Sequence, residues 1–185
     1  PWARGRILDL CCGTGCVGIA ALKNLPDEIT GVLADISEPA LQVARRNLVR
    51  HGVSGRCSTV VADALAPLNP ALGRFQLILC NPPYIPEGEI DALDIEVRRE
   101  PRIALSGGAD GLDFYRAVAR NAGEQLSPGG ALMLEVGLGQ AEEVCALLRH
   151  YDLSESIGEA LLRMPGQQGR LRVLRHVVEL GLDTK

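Results

Sequence analysis

Short β-rich runs alternate with helix-length amphipathic stretches along almost the whole chain, and this alternation narrows its fold more than any other feature. The runs are RILDLC (6–11), ITGVLADI (29–36), CSTVVAD (57–63), FQLILCN (75–81) and ALMLEVG (131–137). Strands that are apolar throughout and separated by helices belong to a parallel sheet covered on both faces. Helices are expected from about Gly15 to Asn24, from Ser37 to Gly52, from Leu112 to Leu126 and from Gln140 to His150. Ser37 reads as an N-cap with Pro39 in the first turn, and Leu41, Ala44 and Leu48 form an apolar stripe that Gly52 ends. SPGG (127–130) reads as a turn, and Asp152–Ala160 and Leu171–Val178 as antiparallel edge strands joined around PGQQG. The expected fold class is α/β: a Rossmann-like, doubly wound, mostly parallel sheet of about seven strands ending in an antiparallel β-hairpin.

At 185 residues and 46% hydrophobic content the chain can bury one core, and aromatics at 3% leave that core to Leu, Val, Ile and Ala. The net charge of −4 supplies no basic footprint for nucleic acid. No apolar run is long enough to span a bilayer, and no signal peptide precedes the first strand, so a cytoplasmic protein is expected. The opening on Pro1 suggests that an upstream piece is missing. None of the six cysteines forms a C-x-x-C pair and the histidines (51, 150, 176) are scattered, so reduced thiols and no metal site are expected.

In open parallel sheets ligands bind beyond the carboxyl ends of the strands, beside strand one. Here those ends carry Asp9, Asp35, Asp63 and Asn81, which core packing does not require. After strand one, DLCCGTGCVG contains Gly13, Gly15 and Gly18 in the G-x-G-x-x-G spacing of a nucleotide turn. Asp35, ending strand two, stands where a ribose-binding acid belongs. Both features suit NAD. Asp9 points elsewhere: a carboxylate beside the turn repels a pyrophosphate but suits a ligand carrying ammonium or sulfonium charge. S-adenosyl-L-methionine is such a ligand, with ribose, adenine and no phosphate. Asp63 is expected to face the adenine amino group.

Asn81-Pro82-Pro83-Tyr84 follows strand four directly. Prolines alone would stop the strand, but an Asn before them and a Tyr after them call for a chemical reason. Methylating a planar NH2 group requires its nitrogen lone pair to be aimed at the methyl donor. The Asn81 side-chain carbonyl and the Pro82 backbone carbonyl can each accept one N–H of that amine, fixing its orientation. The rigid Pro-Pro unit holds the second carbonyl, and Tyr84 offers a ring face to a planar amide or base.

With these motifs the chain resembles the class I methyltransferases that modify planar amino groups through a (D/N/S)-P-P-(Y/F) motif. It most resembles the HemK/PrmC-type protein-(glutamine-N5) methyltransferases of release factors. DLCCGTGCVGIAAL is similar to their adenosylmethionine loop, with Cys11 and Cys12 where small or glycine residues are usual. ADISEPALQVARRN, NPPYIP, EPRIALSGGADGLDFYR and SPGGALMLEVGLGQAEEV match in order and spacing, so the resemblance runs from about Arg6 to Leu148. It implies a catalytic domain over 1–185, without the family's N-terminal helical substrate domain. It also implies a peptide chain release factor as protein partner and no membrane. The cofactor pocket is then expected at Asp9, Cys11, Gly13, Gly15, Asp35, Ile36, Asp63, Ala64 and Asn81. Substrate falls to Asn81, Pro82, Pro83 and Tyr84, with Asn81, Pro82 and Tyr84 catalytic.

NPPY also fits nucleic-acid N6-adenine or N2-guanine methyltransferases acting on rRNA, tRNA or DNA. The acidic pI and the EPR-x-AL-x-GG-x-DGL run weigh against these. A non-catalytic scaffold of the same fold leaves Asn81 unexplained, and a NAD dehydrogenase leaves NPPY unexplained. Glu100, Pro101 and Arg102 are candidates for ordering the long loop. Glu135 and Gln140 are expected to support the motif loop or cap the next helix, and His51 and His150 to sit at helix ends.

Overall fold

A computed structural model describes residues 3–151, with the backbone of 158–160 and 172–177. The elements run β1 (Gly5–Leu10), α1 (Cys16–Asn24), β2 (Ile29–Asp35), α2 (Glu38–Arg50), β3 (Cys57–Val61), β4 (Phe75–Cys80), α3 (Asp113–Gln125), β5 (Leu126–Val136) and α4 (Ala141–His150). The five strands pair in parallel in the order β3-β2-β1-β4-β5. The chain therefore winds one way from β1 to β3 and the other way from β4, and the reversal lies between β1 and β4. Leu10 pairs with both Ala34 and Cys80, so the strands finish at one level and the loops that follow share one edge.

Side chains alternate across each strand and fill two cores. Ile7, Leu33, Leu77 and Leu79 pack with Ile19 and Leu22 of α1 and with Leu41, Ala44 and Leu48 of α2. On the other face Leu8, Val32, Ile78 and Leu132 pack with Tyr115 and Val118 of α3 and with Val144 and Leu148 of α4. The Ser37 hydroxyl accepts from the Ala40 amide at 3.3 Å, the N-cap expected from sequence, and His51 closes α2 while His150 ends α4. Among the described residues no helix is long and apolar enough to cross a membrane.

Two expectations change. SPGG is not a turn ahead of β5 but an irregularity within it: Phe75 pairs with Leu126 and Leu77 with Ala131, the intervening residues bulging from the ladder. The stretch between β4 and α3 is ordered by short 3-10 turns at Glu87–Ala92, Val97–Arg99 and Arg102–Ala104. Arg102 pairs with Asp91 at 3.3 Å and Glu87 at 3.8 Å, so it ties this loop to itself. Apart from the backbone of 158–160 and 172–177, the expected C-terminal hairpin and its PGQQG turn lie outside the described residues.

Candidate active site

The glycine turn leaves β1 at the reversal point of the sheet. Cys11 takes a left-handed φ of 57°, the Cys12 amide donates to the Ala34 carbonyl at 3.1 Å, and Gly15 caps α1 without a side chain. Two carboxylates from neighbouring strands hold this turn. Asp35 Oδ2 accepts from the Gly13 amide at 2.7 Å while its Oδ1 accepts from Ser37 at 2.8 Å. Asp9 Oδ2 accepts from the Gly18 amide in the first turn of α1, also at 2.7 Å.

Asp9, expected among the cofactor residues, lies inward of the turn. It is 1% exposed, so its carboxylate is not presented at the surface. Strand alternation explains this: Asp9 shares a face with Ile7, beneath α1, and its carboxylate satisfies an N-terminal amide that Gly15 cannot cap. Burial raises its pKa to about 7, against the opposing effect of the Gly18 hydrogen bond, with the Asp35 charge adding to the rise. A Cβ at Gly18 would overlap Leu33 Cδ2 and lie 2.8 Å from Asp9 Oδ2, so only glycine admits this approach. The amides of Gly13 and Gly18 both donate to carboxylates, so these two are closed to a phosphate oxygen.

At the ends of β2 and β3 the remaining cofactor candidates assemble. The Ala62 amide donates to the Asp35 carbonyl at 3.0 Å, which sets Asp63 and Ala64 beside Asp35 and Ile36. Ile36 and Asp63 are exposed, Ala64 is buried, and Asp63 Oδ1 accepts from the Leu65 amide at 2.9 Å. Leu65, not singled out from sequence, is a second exposed apolar side chain here. Position alone could have flagged it, as an exposed leucine two residues past a strand-end acid.

Across the reversal point, β4 delivers Asn81 next to the glycine turn. Its side chain is exposed and makes no hydrogen bond with any described residue, while Pro82 and Pro83 are buried beneath it. Tyr84 is half-buried. Burial raises its pKa, with Glu135 and Glu100 adding to the shift, so the phenol stays protonated at neutral pH. The loop then pairs with 105–108: Ile85 donates to Leu105 at 3.0 Å, Gly107 to Ile85 at 2.9 Å and Glu87 to Gly108 at 2.9 Å. The SGGADGL run, noted in the sequence only for its resemblance, is thus the bed on which NPPY rests. A Cβ at Gly107 would stand 2.8 Å from Tyr84 Cα. Arg116 fastens the far side of this bed, bonding Asp110 at 2.5 Å and Asp113 at 3.0 Å, and holds the Asp110 carboxyl at about 2.

Gln140, the N-cap residue of α4, donates from Nε2 to the Tyr84 carbonyl at 2.9 Å and lies 3.4 Å from that of Gly111. Its expected role as support for the motif loop is the one the structure displays. Glu135 ties β5 to α3 instead, its carbonyl accepting from the buried Tyr115 hydroxyl at 3.0 Å. The site thus joins the strand ends of β1–β3 to the Asn81 carboxamide, unbonded among the described residues, and the Tyr84 ring beyond β4.

The methyltransferase small domain model matches residues 2–97. The release factor glutamine methyltransferase of Geobacter sulfurreducens is 46% identical over 143 residues, covering 76% of this chain and 48% of that protein. The ribosomal protein uL3 glutamine methyltransferase of Bradyrhizobium diazoefficiens is 43% identical over 140 residues, covering 76% and 43%. The chain thus spans about half the length of the curated relatives it matches. Among solved structures, a methyltransferase from Pyrococcus furiosus is similar in fold, with TM-score 0.64 at 18% identity, over 96% of this chain and 77% of that one. The small-domain model covers more than half of the residues, from β1 through the NPPY loop, and on that ground the chain belongs to the methyltransferase small domain family.

Proposed function

We propose that this protein is an S-adenosylmethionine-dependent N-methyltransferase acting on a glutamine side-chain amide of a peptide chain release factor. One observation carries the reading: the exposed Asn81 carboxamide, without a hydrogen bond among the described residues, stands across the sheet reversal from the glycine turn. The names of the relatives, which share 46% and 43% identity with this chain, point to glutamine as the acceptor.

The residues over β1–β3 fit the cofactor. Asp35 has free lone pairs for ribose hydroxyls, Ile36 and Leu65 offer apolar contact to adenine, and Asp63 and Ala64 border the same ledge. Cys11, Gly13 and Gly15 form the wall beside the nucleoside, and the amides of Gly13 and Gly18 are already taken. S-adenosylmethionine, when bound, supplies an electrophilic methyl group. The chain's own residues then orient the acceptor. Asn81 Oδ1 and the Pro82 carbonyl each accept one N–H of the glutamine amide, turning its nitrogen toward the methyl. They also favour the positive charge that builds on that nitrogen. Pro83 keeps the peptide rigid, and the neutral Tyr84 ring covers the amide plane. The proton leaves to solvent after transfer.

Residues 1–185 act in this reading as the catalytic domain, in the cytoplasm where release factors work. We further propose that segments 158–160 and 172–177 complete a seven-stranded sheet as an antiparallel pair beside β5. The register of Ala131 opposite Val177 and Gly158 opposite Arg175 supports this.

The test is methyl transfer from labelled donor to purified release factor, uL3, and rRNA, tRNA or DNA, with mass spectrometry of the product. Label on a release-factor glutamine is the expected result. Label confined to uL3 changes the substrate, and label confined to nucleic acid overturns the glutamine reading.

A further inference from the structure

Two backbone carbonyls, of Tyr84 from the motif loop and Gly111 from the bed beneath it, converge on one point near the start of α4. Neither can donate to the other, and their facing dipoles repel. The gap between them suits a donor nitrogen with two hydrogens, which a primary amide supplies. Gln140 Nε2 fills it, 2.9 Å from the Tyr84 oxygen and 3.4 Å from that of Gly111.

The surroundings fix the residue in this seat. A Cβ at Gly111 would overlap the Tyr84 oxygen and stand 2.6 Å from Nε2, and one at Gly137 would overlap Oε1 and lie 3.0 Å from Tyr84 Cδ2. Oε1 is buried without a partner among the described residues. A buried acceptor left unpaired is costly. Rotating the amide by half a turn would set oxygen against two carbonyl oxygens, so the fold keeps the donor side in place at the expense of the acceptor.

We propose that Gln140 is a positioning residue for the transfer reaction: acting through Tyr84, its carboxamide sets the height and tilt at which the Asn81–Tyr84 loop presents its acceptors. Pro82 and Pro83 have no amide hydrogen, so the backbone pairing of the loop begins only at Ile85, and Gln140 adds a donor on the Tyr84 carbonyl between them. The inference rests on the glutamine-methylation reading for its catalytic consequence, but not for its structural one.

Two variants test it in the full chain. Gln140→Ala removes the amide, and Gln140→Met keeps the volume but supplies no donor. Both are expected to lower kcat for release-factor methylation by about tenfold or more, as loss of an oriented hydrogen bond does, with the Kd for S-adenosylmethionine unchanged. Amide hydrogen exchange in the free protein should quicken at 84–87 and 105–111 and stay as in wild type through α2 and β2. Wild-type kcat in Gln140→Met would reduce Gln140 to a space-filler and overturn the proposal. Exchange that quickens everywhere, or nowhere, would also overturn it. If no glutamine is methylated by the wild type, the functional reading fails, and the exchange pattern still decides whether Gln140 holds the loop.

Discussion

Asp9 and Asp35 both grip the glycine turn, Asp9 fully buried and Asp35 only partly so. The Asp9→Asn variant separates the two roles, because an asparagine oxygen can still accept from Gly18. Its affinity for S-adenosylmethionine should equal that of wild type, whereas Asp35→Ala should lose on the order of 1.5–3 kcal/mol of binding, read by calorimetry. The raised Asp9 carboxyl also leaves a mark on stability. With a folded pKa of about 7 against 3.8 for the free group, the folded state binds more proton between these values. The Asp9 contribution to stability therefore falls as pH rises from about 4 to about 7, and Asp9→Asn should flatten that part of the melting profile. Gly18→Ala should be destabilising by about 1–3 kcal/mol in denaturant titration, since its Cβ meets Leu33 and Asp9 in a filled core. At this scale the sequence displayed the acids but not their directions. Alternation along ILDL, with Ile7 and Asp9 on one face and Leu8 and Leu10 on the other, held that information, and Gly18 was the sign of a close approach from below.

Elements were legible where periodicity was long. The five parallel strands and four helices stand within a few residues of their expected bounds because each has an apolar face of the right spacing. SPGG misled for a local reason: Pro128, Gly129 and Gly130 are turn residues, and only pairing with β4 on both sides keeps them inside a strand. The union of the NPPY loop with SGGADGL was unreadable because it is built from backbone bonds between segments about twenty residues apart. Gly111 is its most sensitive point, with φ at 78° and the Tyr84 oxygen where a Cβ would go. Gly111→Ala should depress kcat at least as far as Gln140→Ala while circular dichroism stays that of a folded protein.

Over the whole molecule, the ledge and the motif loop rest on opposite sides of one sheet reversal, so occupying the ledge should brace the sheet. At a hundredfold excess over Kd, S-adenosylmethionine stabilises a one-site protein by about 2.7 kcal/mol. For a domain of this size that is a rise in Tm of roughly 5–10 °C, and NAD at the same concentration should produce none. An equal shift with NAD would undo the argument drawn from the occupied amides.

Asp35 also bears on how such a turn can change allegiance over time. In dinucleotide folds, exchanging the acid after strand two is a short route to a new nucleoside preference. Here the same carboxylate fastens Gly13 and Ser37, so any replacement chosen for a different ribose also unfastens the loop that must receive it. A lineage, or an engineer, seeking a new cofactor cannot begin at position 35 alone; the loop must first acquire another anchor, and that required order of steps guards the present specificity.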